Sequence, residues 1–429
     1  MKVKDIFLSL KERNFALYFS GQCISLSGSW IQYVAMSWLV YRLTGSIILL
    51  STVALLNQLP HLVLTPFAGV LSDRFNKYKI ILLSQILFMS QAFVMAYLTL
   101  SGSIQVWHIL ALSLFTGIIA AMDAPARQAF YATMVPREYM TNAIALNSAT
   151  INGTRFVGPM LGGILISAVG EGYCFLINAI SYIAVIAALL AMRLKPFVKI
   201  PTKNSILKSL REGANYAYGY IPIRAVLSYV AVISFFVMPF MSVLPALVKD
   251  VLGGDSKLLG YVTASIGVGA FFAAINLASR KNALGLSRLI SFSGILMGVC
   301  FALLSFTDNK ILACILCCPL GFTMIGAMAA SNTLLQSVVR DDKRGRVMSF
   351  FTMCFMGMSP IGGMLYGWVG EKTSLPITIF FSGVIALLSS IVFSYYRRLL
   401  RKAVHEDTRR QSRENDKCET LSDVVYNPF

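Results

Sequence analysis

Between two long apolar segments, the chain reads Pro66-Phe67-Ala68-Gly69-Val70-Leu71-Ser72-Asp73-Arg74-Phe75-Asn76-Lys77-Tyr78-Lys79. Charged residues are crowded into this stretch, whereas the segments on either side nearly avoid charge. The pattern predicts a turn between two helices at a membrane surface, because hydrocarbon excludes charged side chains. We expect Asp73 to cap the start of a neighbouring helix, whose first amides lack partners and carry partial positive charge.

The composition of the whole chain indicates an integral membrane protein. Of its 429 residues, 56% are hydrophobic and 13% are charged, and the mean hydropathy is +0.69. A membrane-spanning helix needs roughly 20 apolar residues, and the chain contains about twelve such segments separated by short polar breaks. Because the apolar runs are continuous and do not alternate with polar residues, they predict an all-α polytopic protein.

The distribution of basic residues predicts the topology. The formal net charge is +18, but the basic residues are dispersed over alternate turns, which favours membrane orientation over nucleic-acid binding. They lie in the N-terminus, the Asp73 stretch, the central linker, two later turns and the tail from Arg397. The opposite turns, near residues 45, 102, 170, 253, 308 and 373, carry few Lys or Arg. By the positive-inside rule, both termini are therefore expected to be cytoplasmic.

The order of the segments divides the chain into five regions. We predict an N-terminal arm at 1–13, a six-helix bundle at 14–193, a cytoplasmic linker at 194–222, a second six-helix bundle at 223–396 and a cytoplasmic tail at 397–429. The linker is expected to hold one surface helix, and the charged tail is expected to be disordered. The run Gly158–Gly163 is echoed by 359–364, which suggests two pseudo-symmetric halves that arose by duplication.

Asp123 and Arg127 are the candidates for proton coupling. They are four residues apart, so they share a helix face and can pair, although Pro125 lies between them. Asp123 is the only carboxylate placed well inside a predicted span, where an ionised acid costs roughly 2.5–3.5 kcal/mol. An acid whose proton affinity changes as a cavity changes sides could drive transport. A purely structural pair near the cytoplasmic end is an equally good interpretation.

The fifth predicted span combines a helix kink with small residues. Pro159 cannot donate a hydrogen bond to the carbonyl of Arg155, which predicts a bend. The glycines of this segment should allow close packing against the eighth span at Gly267 and Gly269. The kink candidates are Gly153, Gly158, Pro159, Gly162 and Gly163. Arg155 has no acid nearby in the sequence, so it is expected either to pair across the bundle or to meet an anionic substrate.

Other polar and soft residues are candidates for a substrate cavity, although ordinary packing is the commoner explanation for such stripes. Methionine is flexible and polarisable, and it tolerates varied ligands. The cavity candidates are Gln22, Ser25, Ser29, Asn152, Arg155, Met324, Met328 and Asn332. His61 and His108 are expected to have surface or packing roles. The cysteines predict no metal site, and we expect no cofactor.

Several motifs carry a resemblance to a known family. The cytoplasmic gate motif Gly69, Leu71, Ser72, Asp73 and Arg74, followed by Lys77, resembles the loop between the second and third helices of the major facilitator superfamily, with Asn76 in place of the usual glycine. Gly158-Pro159 resembles a signature of its proton-coupled drug antiporters. Further runs look like the branch of enterobactin exporters and macrolide-efflux proteins: Leu39–Ser46, Pro125–Ala129, Asn142–Ser148 and Arg344–Ser349.

The resemblance implies a monomeric secondary transporter in the bacterial inner membrane that exports a small amphipathic molecule, such as a siderophore or a macrolide, against protons. One departure matters, because the arginine that larger drug-antiporter groups carry four residues before the glycine at Gly117 is Ser113 here. An importer or facilitator of a small metabolite is the alternative. A membrane enzyme or sensor is remote, since no P-loop, HExxH or nucleophile motif is present.

Overall fold

The described part of the chain consists of long helices without strands. A computed structural model describes residues 8–193, 218–280, 285–339 and 341–426. The first six helices are α1 (Arg13–Thr44), α2 (Ile47–Arg74), α3 (Lys77–Leu100), α4 (Val106–Met134), α5 (Met140–Val169) and α6 (Glu171–Leu190). The next six begin with α7 (Ile221–Phe236), α8 (Ser256–Ala278), α9 (Leu286–Ser305), α10 (Lys310–Val338), α11 (Asp341–Thr352 and Met358–Lys372) and α12 (Leu375–Tyr426). The all-α prediction is confirmed.

Two of the helices depart from regular α-helix. After Phe236, the seventh segment continues through the 3₁₀ turn Met238–Val243 and the π turn Leu247–Val251. Pro239 and Pro245 lie in this region and cannot donate main-chain hydrogen bonds, which interrupts the ladder. The two parts of α11 are joined by a second π turn, Met353–Gly357.

The lengths and composition of the helices suit a membrane. Among the described residues, nine helices are long and apolar enough to cross it, and parts of α2 and α5 form two shorter apolar helices. Helix α1 has 32 residues, ample for a span, and its polar residues Gln22 and Gln32 are buried against neighbouring helices. The chain is therefore a polytopic helical membrane protein.

The turn at the gate motif is shorter than the sequence predicts. Helix α2 continues to Arg74, so the motif forms the last turns of a helix, and only Phe75 and Asn76 connect it to α3. The side chain of Asn76 accepts a hydrogen bond from the amide of Tyr78 at 3.0 Å and caps α3. The side chains of residues 65–74, including Asp73, lie outside the described part of the structure, as does that of Asn152.

The two ends of the bundle differ in charge. We call the end with the turns at 45–46, 101–105, 170, 252–255, 306–309 and 373–374 the neutral end, and the opposite end the basic end. The neutral end is not as poor in Lys and Arg as predicted, but its basic residues are balanced by an equal number of acids. They are Arg42, Lys249, Lys257, Lys310 and Lys372, against Glu171, Asp250, Asp255, Asp308 and Glu371.

Buried apolar residues join the halves at the neutral end. Residues of α1 between Ile31 and Tyr41 belong to the same continuous core as the second six helices. Toward the basic end, Phe15, Tyr18 and Phe130 form a separate core confined to the first six helices. Within the described residues, one apolar core thus connects the two halves at the neutral end, whereas at the basic end the first half has a core of its own.

Glycines bring the halves into backbone contact along two seams. In the first, a Cβ added at Gly163 of α5 would lie 2.7 Å from the Cα of Gly260 of α8. A Cβ at Gly267 would lie 2.8 Å from the Cα of Phe156, so the predicted contact of Gly267 with α5 is confirmed. The prediction for Gly269 is wrong, because this residue faces α10 at Cys318 and Phe322.

The second seam repeats this arrangement in the other pair of helices. Gly367 of α11 packs against Ile48 of α2, whose Cα would lie 3.1 Å from an added Cβ. Gly158 of α5 packs on Trp30 of α1, and correspondingly Gly362 of α11 packs on Phe235 of α7. Glycines on corresponding helices therefore serve corresponding helix pairs in the two halves, as expected for a pseudo-symmetric fold.

The terminal regions differ from the sequence-based expectation. Helix α12 continues through the predicted tail to Tyr426, so the prediction of disorder is wrong up to that residue. Extension of an existing helix needs no new nucleus, and Arg, Lys, Glu and Leu all favour helix. At the other terminus, Ser9 donates its hydroxyl to the side chain of Asn142 at 2.7 Å. The linker residues 194–217, with the predicted surface helix, lie outside the described residues.

A matched pair of glycine substitutions tests the first seam. Gly163→Ala places a methyl group against the backbone of α8, whereas Gly153→Ala points into open space. We expect Gly163→Ala to destabilise the protein by about 1–3 kcal/mol through overpacking. We expect Gly153→Ala to be neutral or stabilising by up to about 1 kcal/mol, since Ala is the better helix former. Thermal unfolding of both variants in one detergent measures the difference, and equal stability contradicts the seam.

Candidate functional site

A buried acid and an arginine form an ion pair inside the first six helices. Asp123 is 5% exposed, and its Oδ2 accepts hydrogen bonds from Arg127 Nε at 2.7 Å and Nη2 at 2.6 Å. The pairing predicted from their spacing is confirmed, and Pro125 lies within the continuous helix α4. Both nitrogens converge on one carboxylate oxygen, which leaves Oδ1 to other partners.

Residues from other helices complete this cluster. The Oε1 atom of Gln22 on α1 accepts a hydrogen bond from Arg127 Nη1 at 2.5 Å. Gln85 on α3 points its Nε2 toward Asp123 Oδ1 at 3.4 Å, and His61 on α2 lies within electrostatic range of the same carboxylate. The hydrogen bonds of the ion pair therefore link α4 to α1 and α3.

Tyrosines line the side of the cluster that faces the basic end. The ring of Tyr18 packs edge-on against Phe130 and Tyr131, with centroids 6.0 and 5.8 Å apart. Tyr131 donates its hydroxyl to Asn147 Oδ1 at 2.5 Å. The hydroxyl of Tyr18 and the amide nitrogen of Gln22 are buried without a hydrogen-bond partner. These two polar groups would be satisfied by water or by a rearranged side chain.

Arg155 makes a different kind of contact. Its guanidinium carbon lies 5.4 Å from the ring centroid of Trp30 on α1, within the range of a cation–π interaction. The rings of Trp30 and Tyr33 meet edge-to-face at 5.6 Å. Arg155 was expected either to pair across the bundle or to meet an anionic substrate, and its described partner is an aromatic ring on another helix.

Several predicted cavity residues have packing or hydrogen-bond partners in this conformation. Ser25 is buried, and Ser29 bonds to the Ser25 carbonyl and lies 3.3 Å from the hydroxyl of Tyr182. Met324 and Met328 are buried within the apolar core of the second half, so they offer no cavity surface in this conformation. Asn332 accepts a hydrogen bond from Gln336 on its own helix at 2.6 Å.

The structure contains a buried network of side-chain amides that the sequence did not predict. Gln32 donates to Gln91 Oε1 at 3.0 Å and accepts from Asn178 Nδ2 at 2.7 Å, which connects α1, α3 and α6. Gly28 lies against Asn178 and Ser181 in the same place. Each of these amides is an isolated polar residue in an apolar segment, and that is the only sequence signal that marks them. Such groups join helices in hydrocarbon, where a lone amide has no water to bind.

The neutral end holds polar contacts between the halves that were also missed. Tyr41 donates its hydroxyl to Asp250, and Lys249 lies 5.5 Å from the Tyr41 ring centroid. The carboxylate of Glu371 accepts hydrogen bonds from Ser46 Oγ at 2.5 Å and from the Ile48 amide at 2.9 Å. Glu371 thus places negative charge at the start of α2, where free amides favour it.

Two further predictions concern single residues. His108 accepts a hydrogen bond from the Gln105 amide at 3.0 Å, so it caps α4 in a surface role as predicted. Ser113, at the place where related groups carry an arginine, is buried, and its hydroxyl has no hydrogen-bond partner. Within the described residues, no group of three or more His, Cys, Asp or Glu side chains could hold a metal ion.

The fold and the interior charges define a class: a polytopic helical membrane protein with a buried ion pair. Comparison with known proteins identifies the family. Residues 6–423 match the sequence model described as "Transmembrane secretion effector". The chain belongs to this family of the major facilitator superfamily and is a transporter, not an enzyme.

Characterised relatives are similar over most of the chain. The Staphyloferrin A transporter of Staphylococcus aureus is 24% identical, and the match covers 91% of this chain and 98% of the relative. The multidrug efflux pump Tap of Mycolicibacterium fortuitum is 25% identical over 87% and 93%. Macrolide efflux protein A of Streptococcus pyogenes is 23% identical over 88% and 94%.

Solved structures share the fold. A bacterial homologue of the iron transporter ferroportin, in an inward-facing state, superposes with a TM-score of 0.68 at 16% identity and covers 90% of this chain and 98% of its own. A transporter of the POT family, in complex with a thioalcohol-conjugated peptide, gives 0.70 at 11% identity over 90% and 96%.

A double-mutant cycle measures the coupling of the ion pair. We expect Asp123→Asn and Arg127→Gln, made singly and together, to give an interaction free energy of about 0.5–3 kcal/mol, because each single change strips a buried charge of its partner. The pair of Arg42 and Glu171 is the matched control: its glutamate is also buried, with 10% side-chain exposure, but its arginine is 50% exposed, so a smaller coupling of about 0–1 kcal/mol is expected. Unfolding of each variant in detergent provides the free energies. Equal coupling in the two cycles contradicts a special role for burial.

Proposed function

We propose that this transporter exports a small amphipathic compound from the cytoplasm in exchange for protons. The observation that carries the proposal is the buried Asp123 with its ion pair. In the described spans, the other carboxylates, Glu171, Asp250 and Glu371, lie within two residues of a span end. A carboxylate that lies away from both membrane surfaces can be ionised or protonated, depending on which side of the membrane exchanges protons with it.

Protonation would change the contacts of Arg127. With Asp123 ionised, the two charges neutralise each other across the 2.6 Å contact. With Asp123 protonated, Arg127 keeps its charge but loses its counter-ion, while its bond to Gln22 of α1 remains. A proton can drive a conformational change only if it binds the two conformations with different affinity. Such a difference would arise if Arg127 without its counter-ion were buried in one conformation and solvated in the other.

The neutral end would be the closed side in the present conformation. The contacts of Tyr41 with Asp250 and of Ser46 with Glu371 join the halves there, and the apolar core is continuous at the same end. If the basic end is cytoplasmic, as its positive charge favours, this conformation opens inward. Alternating access would then require the neutral-end contacts to break while the basic end closes.

The identity of the cargo is proposed from the relatives. Their names include a siderophore transporter, macrolide efflux proteins and a multidrug efflux pump, which supports a small amphipathic molecule as substrate. The membrane potential offers about 2.3 kcal/mol per charge per 100 mV, enough for modest uphill export. Import, or facilitated diffusion of a metabolite, is the alternative, and the direction of flux in vesicles separates it from export.

Asp123→Asn tests the coupling role. In inverted membrane vesicles with an imposed pH gradient, we expect the variant to lose gradient-driven accumulation of a radiolabelled macrolide or siderophore down to the level of membranes without the protein, because a neutral amide cannot exchange a proton. Downhill movement of the same compound should persist. Glu171→Gln, which alters a carboxylate at the neutral end, should still pump. Unchanged gradient-driven pumping by Asp123→Asn would falsify the coupling role.

The gate motif at the end of α2 provides a separate prediction. We propose that Asp73 latches the basic end by docking against the start of α11. Asp73→Ala should then slow transport severalfold with little change in apparent substrate affinity, because the latch acts on the conformational change and not on the binding site. Initial rates measured over a range of substrate concentrations separate the two effects. A defect confined to affinity rules out the latch.

A further inference from the structure

Arg155 is a cation without a carboxylate partner in the interior of the protein. It lies near the middle of the 30-residue helix α5, and none of the described residues forms an ion pair with it. The other interior charges, Asp123 and Arg127, cancel each other. The described core of the membrane region therefore carries one unbalanced positive charge. A cation at this depth is costly unless a cavity, water or an anion compensates it.

The backbone of Arg155 is held at the first seam between the halves. Its carbonyl cannot bond to residue 159, because proline has no N–H. The same carbonyl oxygen lies 3.0 Å from the position of a Cβ added at Gly267 of α8. Arg155 is thus anchored where α5 meets the second half, while its guanidinium reaches back over Trp30 of α1.

The third member of this group, Tyr33, faces the interior. Ile24 of α1 is 53% exposed and lines an outer apolar groove with Ile177 of α6. Tyr33 follows Ile24 by nine residues, which at about 100° per residue places it on the opposite side of α1. Tyr33 is nevertheless 42% exposed. Its exposed surface is therefore directed away from the outer groove, toward the space between the halves.

We propose that Arg155, Trp30 and Tyr33 bind the carboxylate of an anionic amphipathic substrate. The inference rests on the transport function proposed above and names its substrate class. The planar guanidinium can hold a carboxylate through two parallel hydrogen bonds. Trp30 keeps the guanidinium in place, the Tyr33 hydroxyl supplies a further donor, and the two rings accept the apolar part of the molecule. A ligand bound there touches the seam along which the halves must move.

Equilibrium binding to the purified full chain in nanodiscs tests this site. The probes are radiolabelled naphthylacetate and its neutral methyl ester, which share the apolar group and differ in the carboxylate. Binding to empty nanodiscs is subtracted for each. We expect the wild-type protein to prefer the carboxylate. Arg155→Gln should weaken carboxylate binding by about tenfold or more, the usual effect of losing a hydrogen bond between charged groups, and should leave ester binding unchanged.

Three further variants sharpen the result. Arg155→Lys keeps the charge but lacks the planar fork, so intermediate affinity is expected. Arg42→Gln removes an arginine that already has Glu171 as partner and should bind both probes as the wild type does. Tyr33→Phe removes one hydroxyl and should weaken carboxylate binding by a smaller factor. This variant decides the matter if Arg155→Gln does not fold.

The proposal is overturned if the wild-type protein does not distinguish the carboxylate from the ester, including the case in which neither binds. It is also overturned if Arg155→Gln, or Tyr33→Phe in its place, binds naphthylacetate as tightly as the wild type. Because the measurement uses no gradient, its failure leaves the proton-coupling proposal standing. Conversely, loss of coupling in Asp123→Asn leaves the anion site unaffected.

Discussion

The two halves of this transporter meet backbone to backbone, and this close approach constrains the rest of the structure. At Gly163 and Gly260 no side chain separates the helices, and where Gly367 lies on α2 it contacts the backbone of Ile47 and Ile48 beside the small side chain of Ser51. In hydrocarbon, helices gain little from burying apolar surface, so close van der Waals contact between small residues carries the association. The proposed alternating motion would occur along these two seams.

Most charged side chains near these seams are paired or balanced by opposite charge, because an isolated charge is energetically unfavourable in the membrane. Asp123 and Arg127 neutralise each other inside the first half, and the acids of the neutral end balance its basic residues. The carboxylate of Glu371 accepts a hydrogen bond from the backbone at the start of α2 in the opposite half, so the N-terminus of α2 is part of the contact between the halves. Arg155 stands apart, since an aromatic ring is its described partner. The structure therefore separates a self-contained ion pair, suited to proton exchange, from an open cation, suited to an anionic ligand.

Local spacing predicted some of the site well. The pair of Asp123 and Arg127 follows from a separation of four residues on one helix, and the contact of Gly267 with α5 follows from small residues on both helices. Spacing failed where a residue could face more than one neighbour. Gly269 faces α10 instead of α5, because it follows Gly267 by two residues and is therefore rotated from it by about 200° around the helix axis. Met324 and Met328 lie together on one face as predicted, but that face packs into the core.

The sequence by itself determined that the chain is a helical membrane protein with about twelve spans, since the length and continuity of apolar runs are dictated by the thickness of the hydrocarbon layer. It also determined the pairs that lie within one helix, because helical geometry places residues four apart side by side. Only the tertiary structure decided that Gln22 meets Arg127, that Trp30 meets Arg155 and that Tyr41 meets Asp250. These partners are more than a hundred residues apart, and a helix periodicity specifies which face is polar without specifying which other helix will cover it.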